Sequence, residues 1–149
     1  MDSIKFYLND YEIESESFTE VVVTINGEPL LELIRRREQS FAAKDGQASI
    51  AGSYAYLSLI DFEELFLRAV LEADLAQDER DVVLLSYPCG IWSCWYLALK
   101  IKFETETVKL YDFTNLRRKD WQYGLEFKFD RVSFVGEISK IASFINSKN

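Results

Sequence analysis

The sequence predicts an α+β fold, a mainly antiparallel sheet packed against two or three helices in one domain spanning residues 1–149. Two patterns carry this expectation. Residues 81–113 read as strand, turn, strand, turn, strand. An apolar run at 82–85 meets a turn at Pro88 and Gly90, and alternating runs follow at 94–103 and 108–113. Three further stretches place apolar residues at helical spacing around that centre. A chain of 149 residues can bury roughly 70% of the surface its unfolded form exposes. One core therefore suffices, and eleven Phe, eight Tyr and three Trp supply much of it.

From the N-terminus, residues 4–8 alternate weakly and open a first strand. Glu12, Glu14 and Glu16 alternate with Ile13, Ser15 and Ser17, as on a solvated strand face or a loop. Residues 18–25 (FTEVVVTI) are rich in β-branched side chains and form a strand. Asn26-Gly27 is a turn, expected to join strand to helix because Pro29 suits a first helical turn. Leu30, Leu31, Leu33 and Ile34 give a helical face running to about Gln39. Arg35, Arg36 and Arg37 then fall near the helix C-terminus, where cations suit the macrodipole. Residues 42–52 are small and polar and read as a loop, and 54–60 as a short strand or a run into a helix.

Asp61, with Glu64 three residues on, resembles the start of a capping box. Phe62, Leu65, Phe66, Ala69, Val70 and Ala73 share one face of the helix that follows, while Glu63, Glu64, Glu72 and Asp74 lie off it. Residues 75–80 form an acidic exit loop. After the central strands, residues 125–129 alternate as a short strand. Phe134, Ile138, Ile141 and Ile145 mark a final helix over 130–146.

Charge narrows the partners. The chain carries 25 acidic and 17 basic side chains, net −8. Residues 1–81 hold 18 acids against 7 bases, and residues 82–149 hold 7 against 10. An acidic first half disfavours nucleic acid, whose phosphates demand positive charge, and suits a basic protein partner. The opening residues lack the apolar segment of a secretory signal, and no run approaches the ~20 apolar residues of a membrane span. Cytoplasm is the expected location.

Little in the chain reads as chemistry. Cys89 and Cys94 are too far apart for a redox dithiol and too few for a zinc site. They are best taken as small buried hydrophobes beside a turn. With no histidine, the Ser-His and Cys-His nucleophile pairs are absent. Asp112 and Asp120 could pair, but nothing in their spacing marks them. Gly46 and Gly52 lack phosphate-loop spacing. Arg117, Arg118 and Lys119 precede Trp121 and Tyr123, a pattern met in nucleic-acid contacts. On an acidic chain the expected arrangement is aromatic rings inward and cations wet. No enzyme activity, cofactor or metal is expected.

Cys89-Gly90, Cys94-Trp95 with Leu97, Phe113, Arg117, Trp121, Tyr123, Phe127 and Phe129-Asp130-Arg131 together resemble a little-characterised family of small bacterial proteins. Ile25-Asn26-Gly27 and Leu30 extend the resemblance toward the N-terminus. The family pattern joins a C-G-x-x-x-C-W hairpin to a W-x-Y motif. Relatives usually have an acid after the hairpin Gly and a Pro after its Trp, where this chain has Ile91 and Tyr96. In general type such proteins are similar to immunity proteins, which neutralise toxins delivered between bacteria. The resemblance implies a fold signature in which Trp95, Trp121 and Tyr123 stack across the sheet beside Arg117.

The expected function is a toxin-neutralising immunity protein of a contact-dependent or secreted-toxin system, monomeric or a small homo-oligomer. Its partner, a basic toxin domain, would meet Asp61, Glu63, Glu64, Glu72, Asp74, Asp78, Glu79 and Asp81, with Glu12, Glu14 and Glu16 as a second patch. Two rivals remain open. One is a small-molecule binder or enzyme with a pocket lined by Tyr87, Trp92, Trp95 and Trp121. The other is a structural subunit of a larger assembly.

Overall fold

Strand-forming and helix-forming stretches alternate through the chain, and the computed structural model assembles them into two antiparallel sheets with helices packed against them. It describes residues 1–47, 50–86 and 96–148. The Pro88–Gly90 turn, Cys89, Cys94, Tyr87, Trp92 and Trp95 lie outside the described residues. The first sheet, in the order β1-β2-β3, comprises β1 (Ile4–Ile13), β2 (Glu16–Ile25) and β3 (Glu28–Pro29). Helix α1 (Leu30–Lys44) follows directly. The second sheet runs in the order β4-β5-β6-β7-β8. Its strands are β4 (Ala55–Tyr56), β5 (Glu79–Ser86), β6 (Tyr96–Phe103), β7 (Thr107–Asn115) and β8 (Glu126–Asp130). Between β4 and β5 one continuous helical run holds α2 (Leu59–Phe62), a π-helical turn (Glu63–Leu67) and α3 (Arg68–Ala76). Helix α4 (Arg131–Lys148) ends the fold.

The three central strands stand where the apolar run and the two alternating stretches predict, and register explains the core. Across β6, β7 and β8, Phe103 faces Val108, which faces Phe129; Ile101 faces Leu110, which faces Phe127. All six are buried. Phe134 of α4 closes on Phe103 and Phe129, with ring centroids at 6.0 and 5.5 Å. Phe62 and Phe66 of the other helical run close on Phe6 of β1 at 5.6 and 5.7 Å. The sheets meet at two seams. Asp2 bridges Phe129 of β8, and Val21 of β2 donates to the Leu57 carbonyl at 2.9 Å.

Several boundaries differ from the sequence reading, each for a local reason. Asn26 and Gly27 both have positive φ, 54° and 79°, and turn β2 back onto β3 as a tight hairpin. The helix starts only after that return. Helix α1 extends to Lys44 because Glu38, Ala42, Ala43 and Lys44 are good helix formers. This leaves Arg35, Arg36 and Arg37 in mid-helix. There Arg35 pairs with Glu32, Arg36 with Glu28, and Arg37 donates to the Tyr123 carbonyl at 3.2 Å. The next helix is capped by Ser58, whose hydroxyl accepts from the Asp61 N–H at 3.3 Å, so Asp61 sits inside the first turn.

Candidate functional site

Two groups of polar residues are candidates for function, one interior and one at the surface. The interior group grows from Glu38, which lies on the core face of α1 and is 1% exposed. A buried carboxylate needs hydrogen-bond donors. Glu38 accepts from the Gly52 N–H and the Tyr54 hydroxyl, both at 2.8 Å, and from the Tyr123 hydroxyl. The Tyr54 oxygen in turn accepts from Asn115 Nδ2 at 2.7 Å. Asn115 Oδ1 accepts from the N–H groups of Arg117 and Arg118 at 2.9 and 3.0 Å. Burial, reinforced by the neighbouring Glu38 charge, pushes the Tyr54 phenol far above its ordinary value; the Tyr123 phenol is raised chiefly by burial too. Every polar atom named has a partner, so the cluster is a clasp that ties α1, residues 52–54, β7 and residues 117–123 together.

The clasp explains the W-x-Y pair. Tyr123 is anchored on Glu38, and Trp121, 4% exposed, stacks on Phe41 of α1 at 5.7 Å while its Nε1 donates to Asp45 at 3.3 Å. Both rings therefore reach the helix; the expected stack with Trp95 across the sheet falls outside the described residues. Arg117 and Lys119 are exposed beside them and Arg118 is half-buried, its Nε 3.8 Å from Asp45. The Asp130-Arg131 pair is structural as well. Asp130 accepts from the Ser133 N–H at 3.0 Å and caps α4. The Arg131 guanidinium donates to Asp74 and Gln77, both at 2.6 Å, and lies over the Phe103 ring.

The surface group is the set of acids. In the 61–81 segment the chain answers several of its own charges. Arg80 pairs with Asp78 at 3.0 Å and with Glu72 at 3.2 Å, Lys100 with Glu79 at 3.5 Å, and Arg131 with Asp74 at 2.6 Å. Asp81 stands opposite Lys100 across β5 and β6. Asp61, Glu63 and Glu64 carry no ion pair among the described residues. Glu12, Glu14 and Glu16 surround the tip of the β1–β2 hairpin, are exposed, and likewise have no ion pair among the described residues. The hairpin turn is Glu14-Ser15, both with positive φ, at 51° and 72°.

Two concavities are candidates for ligands. A groove of about 620 Å³ runs between the chain start and α4, lined by Asp2, Lys5, Asp130, Glu137 and Lys140 among others. A pocket of about 290 Å³ beside Trp121 and Tyr123 is lined mainly by polar atoms of residues 112–114 and 119–125. Among the described residues, no three Asp, Glu, Cys or His side chains gather as a metal site. Among the described residues, no helix is long and apolar enough to cross a membrane.

Neither the family models nor the curated proteins contain a match to this chain. One solved structure is similar in fold. It is a chain of a "CdiA-CT/CdiI toxin and immunity complex from Enterobacter cloacae", matched with a TM-score of 0.50 at 13% identity. The match covers 96% of this chain and 99% of that one. At that identity the likeness is one of fold.

Proposed function

We propose that this chain is a bacterial, cytoplasmic immunity protein, a non-enzymatic binder that neutralises a cognate toxin by covering a basic face of it. The observation that carries the reading is the unanswered negative charge of the exposed hairpin. No Lys or Arg occurs between Lys5 and Arg35, and Glu12, Glu14 and Glu16 project into solvent around the tip. Such a field accelerates encounter with a positive partner and repels nucleic acid. The fold likeness to a chain of a toxin and immunity complex supports the same reading.

Ion pairing supports giving the two acidic patches different weights. Glu72, Asp74, Asp78 and Glu79 are partly neutralised by Arg80, Lys100 and Arg131, whereas the hairpin acids are not. We therefore assign the hairpin first place and the 61–81 acids a supporting one. Of the residues the small-molecule alternative names, Trp121 is the one described; it is 4% exposed and stacks on Phe41 while bordering the pocket of about 290 Å³.

The test uses the product of the reading frame adjacent to this gene, purified and titrated with the chain by calorimetry. The expected result is an equimolar complex whose affinity falls as salt rises. No complex with that product, together with recovery of the chain alone from its host, would refute the reading.

A further inference from the structure

We infer that the outer face of the β1–β2 hairpin is a docking surface, and that its occupant is an Arg- or Lys-rich segment of a protein partner. The inference deepens the immunity-protein reading and rests on it only for the partner's identity.

Register places the residues. In an antiparallel pair, residues directly opposite share a face. Tyr11 faces Phe18 and Tyr7 faces Val22, so these four, with Ile13, line one side of the hairpin. The other side carries Ile4, Phe6, Val21, Val23 and Ile25, all buried in the core. Among the described residues, its side chains stay open to solvent. Tyr7, Tyr11, Ile13 and Phe18 are 48%, 39%, 56% and 40% exposed. The solvated face of an antiparallel sheet normally carries polar residues. Here Tyr7 and Val22 form one apolar pair and Tyr11, Phe18 and Ile13 a second group nearer the tip, with the hydrogen-bonded Asn9–Glu20 pair between them, and the Tyr11 and Phe18 rings stack at 5.5 Å. Exposed aromatic and aliphatic side chains grouped toward the tip of a sheet mark an interaction site.

Charge selects the occupant. Glu12, Glu14 and Glu16 ring the distal end of this group, and Glu20 lies on the same face as Tyr11 and Phe18. A guanidinium group can lie flat on a tyrosine or phenylalanine ring while bonding an adjacent carboxylate. A second copy of this chain, joined through the same face, would set these acids against themselves. An anionic lipid surface or a nucleic acid meets the same repulsion.

The test has two arms. In the first, a hexa-arginine peptide is titrated at low salt into the labelled chain and followed by amide NMR. The shifts are expected to concentrate on β1 and β2. The variant Tyr11→Ala/Phe18→Ala should bind about tenfold more weakly or worse, while Glu72→Gln/Glu79→Gln should bind like the wild type. Circular dichroism confirms folding of each variant; should the alanine pair unravel the hairpin, Phe18→Thr keeps strand propensity and reads the same loss. Shifts confined to other elements, unchanged affinity of the alanine pair, or self-association abolished by it would overturn the assignment. In the second arm the adjacent-frame product replaces the peptide. Equal binding to wild type and alanine pair refutes the surface and leaves the immunity reading standing. Loss of peptide binding in the alanine pair, with no binding of that product to the wild type, does the reverse.

Discussion

Replacing Glu38 by alanine should be among the most destabilising single changes in this chain. The side chain is 1% exposed and accepts from three donors, the Gly52 N–H and the Tyr54 and Tyr123 hydroxyls. Alanine removes every acceptor at a position that is 1% exposed, so the three donors lose their partner. Each orphaned buried donor costs about 1–3 kcal/mol. Three of them set the expected loss at no less than about 3 kcal/mol, a large share of the 5–15 kcal/mol that holds a typical domain. Glu38→Gln keeps one carbonyl oxygen but aims an amide at a hydroxyl, so about half that loss is expected. The assay is urea unfolding followed by tryptophan fluorescence, with the m-value checked for constancy. A loss below about 1 kcal/mol for Glu38→Ala would show that the clasp is open to water and refute its role as a structural tie.

Three further predictions follow from the same geometry. Trp121→Ala should cost about 3–5 kcal/mol by the same assay, because the indole is buried on Phe41; a loss under about 1 kcal/mol would place it at the surface. Gly52→Ala should cost about 2–4 kcal/mol in thermal and urea unfolding: the residue has φ +66°, and an added methyl would lie 2.6 Å from Arg35 Cβ. An unchanged midpoint would refute that close approach. The third concerns alkaline pH. Folding raises the Tyr54 and Tyr123 phenols above their unfolded value near 10, so above that pH the unfolded chain binds fewer protons and stability falls. Their contribution is complete below pH ~10 and is lost above it. An ultraviolet titration should therefore find at least two of the eight tyrosines silent until the protein unfolds, and Tyr123→Phe should remove one; full titration of the folded chain near pH 10 would contradict this.

The sheet was legible because its signals are local. Alternation in 94–103 and 108–113, and the β-branched run at 18–25, signal the strands, described from Tyr96 in the first case. What stayed hidden depends on distant partners. Glu38 reads as one more polar residue on a helix, and only Tyr54 and Tyr123, far along the chain, turn it inward. The register slip at Asp112, whose φ is +56°, sets two β7 residues against one of β6. Its trace in the sequence is the apolar phase shifting from Val108 and Leu110 to Phe113. The Glu14-Ser15 turn was missed because neither residue favours positive φ, unlike Asn26-Gly27. For the candidate surface, the acids were visible as a count. Which of them find a cation within the chain was not, since Lys100 and Arg131 arrive from other strands and helices.

The most direct test of the account is growth of bacteria induced for the adjacent-frame product, with and without this chain. The account predicts that the product arrests growth, that the wild-type chain restores it, and that Tyr11→Ala/Phe18→Ala restores it poorly while remaining folded and abundant. Arrest that persists in the presence of the wild-type chain, or a product that never arrests growth, would contradict it.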